Sequence, residues 1–301
     1  MAVRFSPVRA AFEGFRLLGR EPFVLIGWTA VFMADLLCSV AASIGLRGAL
    51  AGVLSTQLRT LTGSLAAIAI EAVTFGVLGT AAYRGVLRPS DHGLWRMKLG
   101  RDEIRLLVLW LLKFPVLVTG LIAAISLLVL IPDVRGVLFP GYGFPSSPLV
   151  GAVVGVLTVL TLVLAVWIDV RLSLVGATSF AAGRLRLRAP WLLTKDRFWG
   201  LVGCYLLLLV FTAVFELLDI ALRTAANATI RGSSFSDALQ QAFRPTETTS
   251  LSVYFTLPGF AYLVIGSLIR AAASAVQFAP GAAVYRDLQH DTPQGRAEVF
   301  D

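Results

Sequence analysis

Six stretches of the chain are apolar on every helical face for about the length of one bilayer crossing, and the polar residues between them fall in short clusters. A hydrocarbon core about 30 Å thick takes about 20 residues of helix. Leu149–Ile168 supplies 20 residues without a charge, Leu251–Ile269 supplies 19, and Phe114–Ile131 and Phe198–Phe215 supply 18 each. Two further runs carry one acid near their centres, Asp35 in 23–45 and Glu71 in 63–83. Their flanks are apolar all round, so a single carboxyl does not turn either into a soluble helix. The pattern predicts an all-α polytopic bundle of six spans near 23–45, 63–83, 106–131, 149–171, 198–220 and 252–275, paired as three hairpins in one membrane domain.

The connecting segments have a pattern of their own. Before each hairpin stands an amphipathic stretch with a polar turn: Ala11–Pro22, His92–Glu103 and Arg184–Asp196. These predict helices lying at the membrane border. Two hairpins end alike, at Tyr83-Arg84 and Tyr285-Arg286, where an interfacial aromatic and a snorkelling arginine are expected. Together these features suggest a faint threefold repeat. In residues 46–61 the leucines share one helical face, which predicts a surface helix or a continuation of span one. Thr194 is the expected N-cap of span five, with Asp196 in its first turn. Pro140–Pro148 reads as a turn-rich connector, and a short helix is expected from Ser236-Asp237. Pro115 and Pro258 are positioned to kink spans three and six. Gly151-xxx-Gly155 and Ala271–Ala275 are small-residue strips suited to close helix contact.

Charge gives the bundle a direction. Of 26 Lys and Arg residues, 17 fall on the N-terminus, the loops after spans two and four, and the C-terminal tail, against six in the other loops and three within spans. Cytoplasmic loops retain positive charge, so both termini are expected inside. Composition agrees with a membrane chain: 57% apolar, 15% charged and mean hydropathy +0.79, against about 25% charged in soluble domains. The net charge of +8 then belongs to one membrane face, where arginines alternate with leucines at Arg184, Arg186 and Arg188. Attraction to anionic head groups, about 1 kcal/mol per basic residue, accounts for it without nucleic acid. No short apolar core followed by a small-residue cleavage site precedes span one, so that span is expected to stay as an anchor. Arg outnumbers Lys 23 to 3, a bias of GC-rich bacterial genomes, and the expected home is a bacterial inner membrane. Cys38 and Cys204 lie inside spans and read as small packing residues.

Three segments carry a family resemblance: Arg171-Leu-Ser-Leu-Val-Gly, Trp191-Leu-Leu-Thr-Lys-Asp-Arg-Phe-Trp-Gly-Leu-Val-Gly, and Ala279-Pro-Gly-Ala-Ala-Val-Tyr-Arg-Asp-Leu. In this order they resemble the bacterial six-span proteins grouped with the membrane domain of glycerophosphoryl diester phosphodiesterases. The resemblance implies a six-helix membrane module. It brings no hydrolase domain, no catalytic residue and no cofactor to this chain.

Candidate chemistry lies in the ionisable residues of the spans, since each costs roughly 2.5–3.5 kcal/mol to insert at the bilayer centre. Asp35, Glu71 and Arg270 are the deep ones, and the expectation is that Glu71 or Asp35 neutralises Arg270. Lys113, Asp169 and Arg171 lie at the inner border, with Lys113 expected to pair there. Glu216 and Asp219, three apart on one face, form an acidic pair near the outer end of span five. Catalytic signatures are missing from the sequence: there is no His-Glu-x-x-His, Gly-x-Ser-x-Gly, phosphate loop or Cys/His cluster. Two classes remain. One is a non-enzymatic membrane protein that organises lipid or binds an unknown protein partner through its basic face. The other is a transporter or channel for a small or lipidic solute, using Asp35, Glu71 and Arg270. A polar cavity reaching Glu71 and Arg270 separates them.

Overall fold

Apolar side chains on all faces favour helix in lipid, where each backbone polar group must be satisfied within its own segment. The computed structural model describes residues 6–91, 93–98, 100–129, 148–194, 197–242 and 250–290, and every regular element among them is helical. Six helices are long and apolar enough to cross a membrane: α3 (Pro22–Ala49), α4 (Thr56–Leu87), α5 (Arg101–Val129), α6 (Pro148–Leu172), α9 (Phe198–Arg231) and α11 (Leu257–His290). Shorter helices flank them: α1 (Pro7–Ala11), α2 (Glu13–Arg20), α7 (Val175–Ala182), α8 (Arg188–Leu193) and α10 (Phe235–Ala242). The chain is an all-α membrane bundle.

Consecutive long helices pack in pairs, α3 on α4, α5 on α6 and α9 on α11, which are the three expected hairpins. Helix α11 is the centre and touches α9, α4, α3, α1, α2 and α7. Its composition explains this. Ala271, Ala275, Ala279, Ala282 and Ala283 are all buried, so neighbouring backbones come close on several sides. The Ala271–Ala275 strip is thus a packing surface inside the bundle. The α5–α6 contact includes Gly120, where an added Cβ would stand 3.2 Å from the Ala165 Cβ.

The helices depart from the sequence expectation at their ends. Residues 46–61 form no separate surface helix: α3 continues to Ala49, a tight turn follows, and Ser55 caps α4 by accepting from the Leu58 N–H. Hydrophobic periodicity alone does not see that break, because both flanks share one apolar face. Helix α9 runs on to Arg231 and stops at Gly232 in the left-handed region, where glycine pays no Cβ penalty. Arg223, which reads as a loop residue in the sequence, is therefore a helix residue. Thr194 does not cap span five. It closes α8, is buried, and accepts from Arg171, while α9 starts from Arg197. Pro258 lies in the first turn of α11, where no helical N–H is missed, so it kinks nothing; Pro115 and Pro280 are the prolines inside helices. The α10 helix starts within one residue of expectation. Asp196 and the connector from Pro140 to Ser147 lie outside the described residues.

Of the border elements, α1 and α2 enter furthest. Ala10, Ala11, Glu13, Gly14 and Leu17 are buried. A Cβ at Gly14 would stand 2.5 Å from the Ala275 carbonyl oxygen and from the Val276 Cα, so α2 and α11 meet backbone to backbone. Phe12 and Phe15 pack on the Phe211 ring at 5.2 and 5.3 Å between centroids. These two helices form a wedge under α9 and α11 rather than a cover lying on the surface.

Candidate functional site

The deep charges converge from four helices. Asp35 lies near the middle of α3, 6% exposed, and accepts a 2.7 Å hydrogen bond from the Thr74 hydroxyl on α4. Glu71 stands one turn before Thr74 on α4. Asp219 on α9 is 3% exposed, and its Oδ2 lies 3.6 Å from Nη2 of Arg270 on α11 and 3.6 Å from Nη2 of Arg223 on its own helix. Asp219 is the acid within ion-pair distance of Arg270, while Glu71 and Asp35, the partners expected from the sequence, act on it from further away. Gly266 of α11 leaves room beside Asp219, since a Cβ there would meet Asp219 Oδ1 at 3.4 Å. The outer acidic pair and the deep cluster are one site. Asp219 Oδ1 has no hydrogen-bond partner among the described residues.

A cavity of about 160 Å³ lies among these groups. Its polar lining is Glu71 from α4, Glu216 and Asp219 from α9, and Arg270, Ser274 and Gln277 from α11. It is large enough to admit water. Asp35, hydrogen-bonded to Thr74, is not part of the lining. Four carboxyls (Asp35, Glu71, Glu216, Asp219) thus share a region with two guanidinium groups, Arg270 and Arg223. At least two of the carboxyls have no arginine to match them. In a low-dielectric interior an unmatched carboxylate is costly.

A second cavity, also of about 160 Å³, lies nearer the arginine-rich end of the bundle. Helices α5, α6 and α7 join α4, α9 and α11 around it. Its lining includes Lys113, whose Nζ is 2.7 Å from Asp169 Oδ1, the border pairing expected from the sequence. Arg171 does not join that pair. Its guanidinium is held among Trp167, Trp191 and Phe198 at 5.4 to 5.8 Å from the ring centroids and donates to the Thr194 hydroxyl at 3.2 Å.

Sequence reading missed a buried polar layer at the arginine-rich end. Arg84 and Glu103, 3% and 6% exposed, form an ion pair, and Arg84 also donates to the Arg96 carbonyl at 3.0 Å. Arg96, buried in turn, pairs with Glu21, and this hydrogen-bonded carboxylate raises its pKa above the ordinary arginine range. Glu13 is 3% exposed and lies within 4 Å of Arg16, Arg20 and Arg286. Arg84 and Arg286 are thus not snorkelling residues, because acids from the border segments give them internal partners. The available signal was the spacing of single acids, Glu13, Glu21 and Glu103, within arginine-rich segments. The turn at Leu94–Arg96 holds the layer in place. Trp95 and Arg96 adopt φ of 51° and 60°, at a cost of about 1–2 kcal/mol each. Trp28 Nε1 donates to the Trp95 carbonyl, and the Trp95 ring covers Gly27 so closely that a Cβ there would stand 2.1 Å from it.

Among the described residues no group of three or more His, Cys, Asp or Glu is placed to hold a metal ion. No family model, no curated protein and no solved structure matches the chain.

Proposed function

We propose that this chain is a transporter or channel for a small cation, with its binding site in the cavity bounded by Glu71, Glu216, Asp219 and Arg270. One observation carries the reading: three carboxyls, Glu71, Glu216 and Asp219, line one cavity with a single arginine, Arg270, inside a bundle of membrane-length helices. A charge-balanced ion pair would leave no surplus acid in the cavity wall. Here the surplus carboxyls supply exchangeable binding for a proton or a small monovalent cation, as intramembrane acids do along ion pathways. Arg270 and Arg223 hold Asp219 in place, which leaves Glu71 and Glu216 as the groups free to load. The reading places both termini in the cytoplasm of a bacterial inner membrane. It borrows no activity from the resemblance to phosphodiesterase membrane domains.

The test is flux in vesicles of defined lipid containing the purified protein. An enclosed pH-sensitive dye reports protons, while labelled sodium and methylammonium report the other two classes. Wild type should pass one of the three faster than protein-free vesicles. Glu71→Gln with Glu216→Gln should lower that flux by about tenfold or more, with an unchanged size-exclusion profile. No protein-dependent flux of any of the three overturns the proposal.

A second reading rests on a separate feature. Arg184, Arg186 and Arg188 are exposed and alternate with exposed Leu185 and Leu187, an arrangement suited to anionic head groups at the membrane border. Replacing the three arginines by glutamine should reduce the anionic lipid that co-purifies with the protein; equal retention counts against it.

A further inference from the structure

We infer that the two cavities are successive chambers of one cation path, closed between them by Phe75 and Gln277. The inference rests on the transport reading and adds the route and its gate. Phe75 of α4 and Gln277 of α11 line both chambers. On α4 the lining runs Glu71, Phe75, Gly79, Tyr83, one residue every four. That is a single face about 18 Å long, more than half of a hydrocarbon core about 30 Å thick. On α11 it runs from Arg270 through Ser274 and Gln277 to Gly281 over a similar length. The chambers therefore lie end to end along the membrane normal, the acidic one at mid-depth and the second towards the arginine-rich face.

The wall between them has the composition of a gate. The Phe75 ring stands edge-on between Phe32 and Phe278, at 6.1 and 6.0 Å between centroids. Gln277 crosses to α9 through a 3.5 Å contact with the Thr212 hydroxyl, long enough to be given up without a large penalty. An aromatic plug beside one amide excludes water while offering a polar contact to a passing cation. Beyond it, Gly76, Gly79, Gly176 and Gly281 line the second chamber and keep it open. Tyr83, Tyr205, Ser173, Gln277 and Lys113, the last paired with Asp169, supply polar residues to its wall. Lys113 is neutralised by Asp169, so it does not repel the cation as an isolated ammonium would.

Two single variants test the route in the flux assay, read for whichever cation wild type passes. Phe75→Ala removes the plug and should raise flux at least about threefold. Gly281→Leu should lower it by a similar factor, because a Cβ there stands 3.8 Å from the Ser173 carbonyl oxygen and 4.0 Å from the Tyr83 hydroxyl, and the side chain grows into the chamber. Phe75→Leu serves if the alanine variant does not fold. The route is overturned if both variants run at the wild-type rate while Glu71→Gln with Glu216→Gln still abolishes flux, since the cation then leaves the acidic chamber another way. Absence of protein-dependent flux in wild type is a different result, and it removes the transport reading itself.

Discussion

Replacing Glu103 by Gln takes the charge from one side of a buried ion pair while keeping its size. Arg84 would keep the Arg96 carbonyl, at 3.0 Å, the Phe180 ring and a neutral amide oxygen, but no counter-charge from residue 103. Breaking one side of such a pair costs about 3–5 kcal/mol, because the surviving charge stays buried without compensation. Arg84→Met should cost the same or more, since it also removes the hydrogen bond to Arg96, worth about 1.5–3 kcal/mol for a charged donor. The informative variant is the double one. Arg84→Met with Glu103→Leu buries no charge and fills a similar volume, so it should be less destabilised than either Arg84→Met or Glu103→Leu alone, which requires a coupling energy of about 3 kcal/mol or more. The assay is equilibrium unfolding in mixed detergent micelles followed by tryptophan fluorescence. Single-variant losses below about 1 kcal/mol that simply add in the double variant would refute the buried-pair argument, because exposed ion pairs behave in that way.

Other outcomes follow from the same geometry. Gly14→Val should lower stability by about 1–3 kcal/mol through overpacking, because its Cβ meets α11 backbone at 2.5 Å. Gly19→Ala, with nothing within 4 Å, should be neutral or slightly stabilising, and thermal melts compare the two. Lys98 hydrogen-bonds the Asp91 carboxyl and holds its pKa below the ordinary aspartate range. A depressed folded-state pKa contributes stability above the unfolded pKa and loses it as pH falls through the folded value; carbon NMR should find the Asp91 midpoint low in wild type and raised towards the ordinary value in Lys98→Met. Arg270→Met should leave Asp219 only Arg223 as a cationic partner and slow cation flux; unchanged flux would show that Arg270 does not shape the site.

The bundle was legible because its signal is collective. Twenty apolar residues in a row read as a span whatever their order, and the Lys and Arg asymmetry needs only counting. Helix ends were less legible, since α9 runs into the polar segment that contains Arg223 and Arg231 and changes no local propensity in doing so. Nothing in the local sequence marks Asp219 as the acid that comes within ion-pair distance of Arg270. Asp35, Glu71, Arg270, Glu216 and Asp219 could each be picked out as costly residues in lipid. Which of them meet depends on the rotation and depth of three helices around α11, which periodicity does not specify when every face is apolar. The layer of Arg84, Glu103, Arg96 and Glu21 was missed for a related reason: arginines beside a span read as solvent-facing until a border segment folds back to bury them.

The central claim is that the acid-rich cavity binds a cation within the membrane and lets it cross. Capacitive current recorded from the protein on a solid-supported membrane, after a step in proton, sodium or methylammonium concentration, tests it most directly. A transient current for one of these cations in wild type, absent in Glu71→Gln with Glu216→Gln, is the predicted result. Currents no larger than those of the bare membrane for all three, or an undiminished current in the double variant, would contradict it.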